Sequence, residues 1–315
     1  MKRVLACVVL VSFGASAQQQ PMQQQQQQQP QQPMEQQPMQ QQQQPTRQSV
    51  TADMQKTWGF VPGFMKALPD AALPGIWEQM KTLQLSNTTA IPPRFKELIG
   101  LAVASQVPCA YCVVAHTEFA RANGATDAEL GTAIAEAGLT RQWSAFTAGT
   151  QVDEAQLRKD LMKMTANMKQ SMSGVPKPMM QVTDADSAYK DIERQYGFVP
   201  EHYRRYPKAA LPGAWRTIRD IEMNPNGAMP PKYVVLAGLA VASQVPCQYC
   251  VISGTELART YGATDAEISE AVAIAGYTRL MSTMLNGMQL DMAAFKADIA
   301  RLAKPRAKKQ AMLGP

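Results

Sequence analysis

Aromatic residues and histidine are scarce in this chain of 315 residues. Aromatics make up 7% of it and only 2 residues are histidine, and the alternation of apolar and polar residues that is typical of strands is not evident. A large β-sandwich is therefore disfavoured. The hydrophobic 45% of the sequence, which includes 20 methionines, suits an aliphatic core between packed helices. The composition predicts an all-α protein, and the length fits about two domains.

Long apolar runs are also lacking. The N-terminal run, residues 4–14, is too short to span a bilayer as a mature helix. A basic pair at residues 2–3 precedes it and an A-x-A cleavage site at residues 15–17 follows it, which is the pattern of a signal peptide. Cys7 loosely resembles a lipoprotein box, but it has no apolar region ahead of it, so lipidation is the lesser alternative. We expect cleavage after Ala17 and a secreted or periplasmic protein.

The net charge of +6 does not indicate a nucleic-acid partner. Much of the basic excess lies in residues 296–310, which we interpret as a solvated helix end followed by a basic tail, residues 304–315. Neither interleaved aromatic residues nor a nucleic-acid-binding motif accompanies these charges. We therefore predict that the protein does not bind nucleic acid.

Residues 18–48 are mostly glutamine, with proline and methionine interspersed. This segment has almost no apolar mass to bury, so the sequence predicts a disordered linker.

The remainder is an internal duplication. Several segments return 138 positions later without a gap: GFVP at residue 59, GLAVASQVPC at residue 100 and GATDAE at residue 124 return at residues 197, 238 and 262. A repeat of this length is one domain-sized unit. We predict two tandem, pseudo-symmetric helical bundles, at residues 49–175 and 185–303, that pack about a pseudo-twofold axis.

Helix signals divide the first bundle. Prolines 92 and 93 can open a helix, because proline in the first turn loses no needed hydrogen bond. Pro108 or Cys109 then starts a second helix, which Gly124 ends. The segment 126–129, TDAE, is a capping box for a third helix, and Asp153 opens a further amphipathic one.

The duplicated helix start carries a cysteine pair, VPCAYCVVAH in the first bundle and VPCQYCVISG in the second. Cys109 lies where the free amides of the helix favour a thiolate. Cys112 and His116 are four residues apart and share one helix face. Glu97 lies about three turns before Cys109 on the preceding helix, and the antiparallel return can bring it near His116. These four residues are candidates for a redox pair with proton-handling groups.

Together these residues, Glu-x11-Cys-x2-Cys-x3-His, resemble the signature of the alkylhydroperoxidase D-like proteins of the carboxymuconolactone decarboxylase superfamily. The resemblance covers roughly residues 55–165 and, in weakened form, 193–300. It implies an all-α fold that self-associates, and thiol peroxidase chemistry without a cofactor or metal. Cys112 would attack the peroxide, His116 and Glu97 would relay its proton, and the sulfenic acid would condense with Cys109. A thiol or dithiol reductant protein would reset the pair.

Simpler interpretations exist for each residue. The Cys109–Cys112 pair can be a passive disulfide, His116 an ordinary helix histidine and Glu97 a solvated carboxylate. Either cysteine can be the attacking thiolate; the i, i+4 relation to His116 favours Cys112. A zinc site that joins both cysteine pairs is a further alternative.

The second bundle departs from the pattern. Val235 and Gly254 stand where Glu97 and His116 would be, while Cys247 and Cys250 remain. We predict a degenerate copy with a redox-capable pair that activates peroxide poorly.

The second histidine, His202, has Phe64 as its counterpart in the first bundle, and we interpret it as incidental.

The predicted function is an exported thiol-dependent hydroperoxidase. Three alternatives remain open: a thiol–disulfide oxidoreductase, a carboxymuconolactone decarboxylase-like enzyme that works without its cysteines, and a non-enzymatic envelope protein on this scaffold.

Overall fold

The computed structural model describes residues 45–173 and 180–304, and in these ranges all regular structure is helical. This confirms the predicted all-α class. The predicted signal peptide, most of the glutamine-rich segment and most of the basic tail lie outside the described residues. None of the described helices is both long and apolar enough to cross a bilayer.

The first copy contains seven α-helices and one π-helical turn within its described residues. They are α1 (Arg47–Trp58), α2 (Gly63–Lys66), α3 (Leu73–Gln79), a π turn (Met80–Gln84), α4 (Pro93–Gln106), α5 (Ala110–Ala122), α6 (Asp127–Gly149) and α7 (Glu154–Met172). The described residues of the second copy repeat this order as α8 (Ala185–Tyr196), α9 (Glu201–Arg205), α10 (Leu211–Glu222), α11 (Pro231–Gln244), α12 (Gln248–Thr260), α13 (Asp265–Gly287) and α14 (Met292–Ala303).

The helix boundaries follow the capping signals. Cys109 is the N-cap of α5, Thr126 and Glu129 form the capping box of α6, and Asp153 caps α7. Gly124 lies just past α5 with φ +84°, a left-handed conformation that glycine adopts without strain.

Helix α1 begins at Arg47, inside the range that we predicted as linker. The reason is a capping box in which Thr46 accepts a hydrogen bond from the Ser49 amide and Ser49 accepts one from the Thr46 amide. That box satisfies amides that would otherwise be free and starts the helix early.

Helices α4 and α11 pack against each other at the centre of the fold. The ring of Phe95 stacks on that of Tyr233 at 3.7 Å between centroids, and the Gln244 amide donates a hydrogen bond to Gln106. Each of these residues thus contacts its own counterpart 138 positions away. A residue can meet its counterpart only near the symmetry axis, so α4 and α11 flank a pseudo-twofold axis.

The last helix of each copy packs on the other copy. Helix α7 lies against α8, α9 and α12, and α14 lies against α2 and α5. Equivalent hydrogen bonds join each of these helices to the other copy. Asp160 of α7 accepts from the Glu201 amide at 2.8 Å, and Asp298 of α14 accepts from the Gly63 amide at 2.6 Å. The described helices therefore form one compact unit. The division into domains at 49–175 and 185–303 stays a prediction.

Candidate active site

Helices α4 and α5 bring Glu97 and His116 together. The imidazole Nδ1–H of His116 donates to Glu97 Oε2 at 2.7 Å. The side chain of Glu97 is 3% exposed and that of His116 is 12% exposed. The ring lies against the backbone of Gly100, where any Cβ would overlap it. A glycine on α4 is thus what lets the histidine of α5 approach the carboxylate one turn away.

Residues from outside these two helices complete the pair. Gln84, at the end of the π turn, donates to Glu97 Oε1 at 2.8 Å. Thr278, on α13 of the second copy, has its hydroxyl 3.5 Å from His116 Nε2. Since Nδ1 carries the hydrogen that Glu97 accepts, Nε2 of the neutral imidazole is a proton acceptor.

Cys109 and Cys112 form a disulfide at the start of α5, with their Cα atoms 5.3 Å apart. The Cys112 amide donates to the Cys109 sulfur at 3.2 Å, so this sulfur takes the place of an N-cap oxygen. Both cysteines are buried, and His116 follows Cys112 by about one helical turn. The structure thus assembles all four residues that the sequence singled out at the junction of α4 and α5.

A buried lysine secures the segment that holds Gln84. Lys96 is fully buried, donates to the carbonyls of Leu83 and Ser86 at 2.7 Å each, and pairs with Glu270 at 3.2 Å. Burial lowers the pKa of Lys96. The second copy has Val234 at this position, so this support belongs to the first site.

The second cysteine pair has the same local geometry. Cys247 and Cys250 form a disulfide with Cα atoms 5.3 Å apart, and the Cys250 amide donates to the Cys247 sulfur at 3.2 Å. Val235 and Gly254 replace the glutamate and histidine, as the sequence showed. However, Cys250 is partly exposed and borders a cavity of about 130 Å³ that none of Glu97, Cys109, Cys112 and His116 lines.

Two carboxyl groups that sequence reasoning missed line this cavity. Glu136 comes from α6 of the first copy, and its carboxyl covers Gly238 as the imidazole of His116 covers Gly100. Glu222 ends α10, at the position that Gln84 holds in the first copy.

Burial raises the pKa of both carboxyls. The pKa of Glu136 lies well above its usual range, with the nearby Glu222 adding to the effect of burial, and the pKa of Glu222 is raised to about 7. The two groups therefore retain a proton in the pH range where ordinary glutamates have lost theirs.

His202, which we interpreted as incidental, also borders the cavity. Its ring lies 4.2 Å from that of Tyr203 and 5.9 Å from that of Trp143, between centroids. Burial lowers the pKa of His202 to about 4, so it is neutral at physiological pH. A comparison of the copies could have singled out these residues one by one, because Glu136, Glu222 and His202 stand where the other copy has Ile274, Gln84 and Phe64.

The alternative of a shared zinc site finds no matching arrangement. Each cysteine pair is closed upon itself, and the described residues contain no group of three or more His, Cys, Asp or Glu placed to hold a metal ion.

This is an all-α duplicated fold with a cysteine pair at the start of the same helix in each copy. Residues 71–155 and 209–290, together more than half of the chain, match the model of the carboxymuconolactone decarboxylase family. The chain belongs to that family, and each of the two matched segments contains its own cysteine pair.

No curated protein matches the chain. Among solved structures, it is similar to a candidate gamma-carboxymuconolactone decarboxylase subunit from Burkholderia xenovorans, with 18% identity and a TM-score of 0.49. That likeness covers 81% of this chain and 99% of the other, and at this score we draw nothing from it.

Proposed function

We propose that the protein is an exported thiol-dependent hydroperoxidase whose first site is built from Glu97, Cys109, Cys112 and His116. The observation that carries the proposal is the 2.7 Å hydrogen bond between Glu97 and His116, one helical turn from a cysteine pair. A passive disulfide does not require a buried carboxylate–imidazole pair, whereas peroxide reduction requires groups that move protons.

In the proposed cycle, a dithiol first reduces the disulfide. His116 Nε2 accepts the Cys112 thiol proton while Glu97 stabilises the imidazolium through Nδ1–H. The Cys112 thiolate attacks the terminal peroxide oxygen, the O–O bond breaks, and the imidazolium returns its proton to the leaving oxygen.

The resulting sulfenic acid condenses with Cys109 and releases water. The Cys112 amide hydrogen bond to the Cys109 sulfur stabilises Cys109 as the resolving thiolate. The geometry favours Cys112 as the attacking residue because it shares a helix face with His116.

The test uses a chain that retains only the first pair, Cys247→Ser/Cys250→Ser, with hydrogen peroxide and dithiothreitol. We expect peroxide consumption that Cys112→Ser abolishes and that Glu97→Gln slows by about 100-fold, the usual share of general acid–base catalysis. Glu118→Gln is the matched control. Glu118 lies on α5, the helix of Cys112, with its side chain 43% exposed, so the change should leave the rate unchanged.

Undiminished consumption in the Cys112→Ser variant would refute this mechanism. Peroxide consumption that stays the same in every variant, together with trapped mixed disulfides to other proteins, would favour the thiol–disulfide oxidoreductase. A decarboxylase activity that survives the loss of all four paired cysteines would favour the decarboxylase alternative.

A further inference from the structure

We propose that the cavity beside Cys247 and Cys250 is a second hydroperoxide site, which takes a small apolar organic hydroperoxide and moves protons through Glu136 and Glu222. This inference rests on the proposed function for its thiol chemistry. It is an alternative to the expectation that the second pair activates peroxide poorly, and the labelling experiment below decides between the two.

The cavity has the size and lining of a site for a small apolar group. Its volume, about 130 Å³, is close to the roughly 150 Å³ of an engineered cavity that binds benzene. Much of the wall is aliphatic, from residues Leu139, Leu157, Leu161, Met164, Ile218 and Leu239. A tert-butyl group, with four carbon atoms, is of the matching size and chemistry.

Two polar atoms in the wall call for a ligand that both donates and accepts. Glu136 is 2% exposed, and while its Oε1 accepts from the Thr140 hydroxyl at 3.0 Å, its buried Oε2 has no hydrogen-bond partner among the described residues. The buried Nε1 of Trp143 has none there either. Unpaired buried polar groups are costly. A hydroperoxide group carries one O–H donor and two acceptor oxygens, which is the hydrogen-bonding capacity that these two atoms lack.

The pseudo-twofold symmetry places one carboxyl where the first site has its imidazole, and the other where the first site has the amide of Gln84. Gly100 faces the imidazole of His116, and its counterpart Gly238 faces the carboxyl of Glu136. Gln84, which contacts Glu97, has Glu222 as its counterpart. The second site has therefore lost the histidine and glutamate of its own copy and holds two other carboxyls beside the same cysteine pair.

The chemistry balances with these groups and a dithiol. The proposed cycle uses one of the two carboxyls in its ionised form. The Cys250 thiol gives its proton to the carboxylate, and the thiolate attacks the terminal oxygen of the hydroperoxide. As the O–O bond breaks, the carboxylic acid protonates the leaving alkoxide, which departs as an alcohol. Cys250 is now a sulfenic acid, and the Cys247 thiol condenses with it to a disulfide and water. The dithiol returns two electrons and two protons.

Trapping of the sulfenic acid tests the first step directly. In a chain with Cys109→Ser, Cys112→Ser and Cys247→Ser, dimedone labelling at Cys250 is followed by peptide mass spectrometry after addition of tert-butyl hydroperoxide. We expect labelling that Glu136→Gln and Glu222→Gln each slow by about 100-fold. Glu256→Gln, exposed on the same helix as Cys250, is the matched control and should label at the parent rate. Absence of labelling, or an equal rate in Glu136→Gln, overturns the proposal.

A binding measurement covers the case in which a glutamate variant fails to fold. We expect tert-butanol, the product alcohol, to cause a saturable change in the tryptophan fluorescence of the unsubstituted chain. The Trp143→Phe substitution should remove this change. The absence of any saturable change contradicts an apolar ligand site.

The same trap separates this inference from the proposed function. In a chain with Cys109→Ser, Cys247→Ser and Cys250→Ser, the reporter is Cys112 with hydrogen peroxide. Labelling at Cys112 but not at Cys250 overturns the second site alone, and labelling at Cys250 but not at Cys112 overturns the first alone.

Discussion

The two cysteine pairs share a backbone and differ in what surrounds them. In the first site Glu97 is hydrogen-bonded on both oxygens, by His116 and Gln84, and the cysteines are buried. In the second site one oxygen of Glu136 has no hydrogen-bond partner among the described residues, and Cys250 borders a cavity. Duplication therefore preserved the helix start and its sulfurs, while the groups able to move protons changed.

The difference also shows that neither site belongs to one copy. Thr278 of the second copy reaches the first site, and its counterpart Thr140 of the first copy lies at the second. Glu136 of the first copy also lies at the second site, whereas its counterpart in the second copy is the apolar residue Ile274. A substitution in one copy can thus alter the chemistry of the other, which allows the two sites to diverge within one fold.

The largest expected effect on peroxide turnover comes from Gly100→Ala. The added Cβ would overlap the imidazole of His116 and separate it from Glu97, so we expect the turnover of hydrogen peroxide by the first pair to fall by about 100-fold or more. Gly138→Ala, where a Cβ meets none of the described residues within 4 Å, is the control and should retain full turnover. Steady-state peroxide consumption by the chain that carries Cys247→Ser/Cys250→Ser measures both.

The next comparison concerns a carboxylate that both copies use to hold a tryptophan. Asp191 is fully buried and accepts from Trp215 Nε1 at 2.9 Å and from Arg219 at 3.1 Å. Asp191→Ala leaves the buried indole N–H without its acceptor and leaves Asp220 as the remaining carboxylate on Arg219, so it should cost about 3 kcal/mol in the free energy of unfolding. Asp53→Ala breaks the equivalent bond to Trp77, at 2.7 Å, together with a half-exposed ion pair, and should cost about 1 kcal/mol. Urea unfolding of both variants measures these losses. Equal losses in the free energy of unfolding would contradict the role given to burial.

The pH dependence of stability should differ between Glu222→Gln and the parent chain. The pKa of Glu222 is raised from 4.5 to about 7, so the folded state binds more protons than the unfolded state between these values. Its contribution to stability is thus lost as the pH rises through that window. As the pH rises from 4.5 to about 8, the free energy of unfolding of Glu222→Gln should increase relative to that of the parent by roughly 1–3 kcal/mol.

Urea unfolding at several pH values measures this gain. His202, whose pKa is lowered to about 4, acts in the opposite direction but is common to both chains, so it cancels. Glu256→Gln should show no such gain, and a parallel pH profile for Glu222→Gln would refute the assignment.

The smallest expected effect on peroxide chemistry concerns a graft of the first site onto the second. Val235→Glu/Gly254→His should not by itself rebuild the relay, because the Glu136 carboxyl occupies the space over Gly238 that the new imidazole needs. Adding Glu136→Ile, which matches the first copy, should raise the rate of Cys250 labelling by hydrogen peroxide about tenfold over the double variant. Equal rates would show that Glu136 does not block the graft.

Much of the fold follows from local signals in the sequence. The prolines before α4, the capping box of α6 and the cap of α7 act within a few residues, so their effects can be read from adjacent positions. The match of the family model and the constant offset of the repeats agree on the tandem organisation. Glu97 and His116 meet because consecutive helices return on each other, a consequence of chain connectivity that the spacing also indicates.

The second site is different in kind. Glu136 lies more than a hundred positions from Cys250 and belongs to the other copy, and the exchange of α7 and α14 between the copies leaves no local signal. Comparison of aligned positions can show that Glu136 and Glu222 are unlike their counterparts, but it cannot show that they share a cavity. The sequence alone therefore determined the helices, the duplication and the four residues of the first site, because those depend on short-range capping and on neighbouring helices. Only the tertiary structure decided that the second cysteine pair faces two carboxyls, because that depends on how the copies pack about their axis and on the desolvation that this packing imposes.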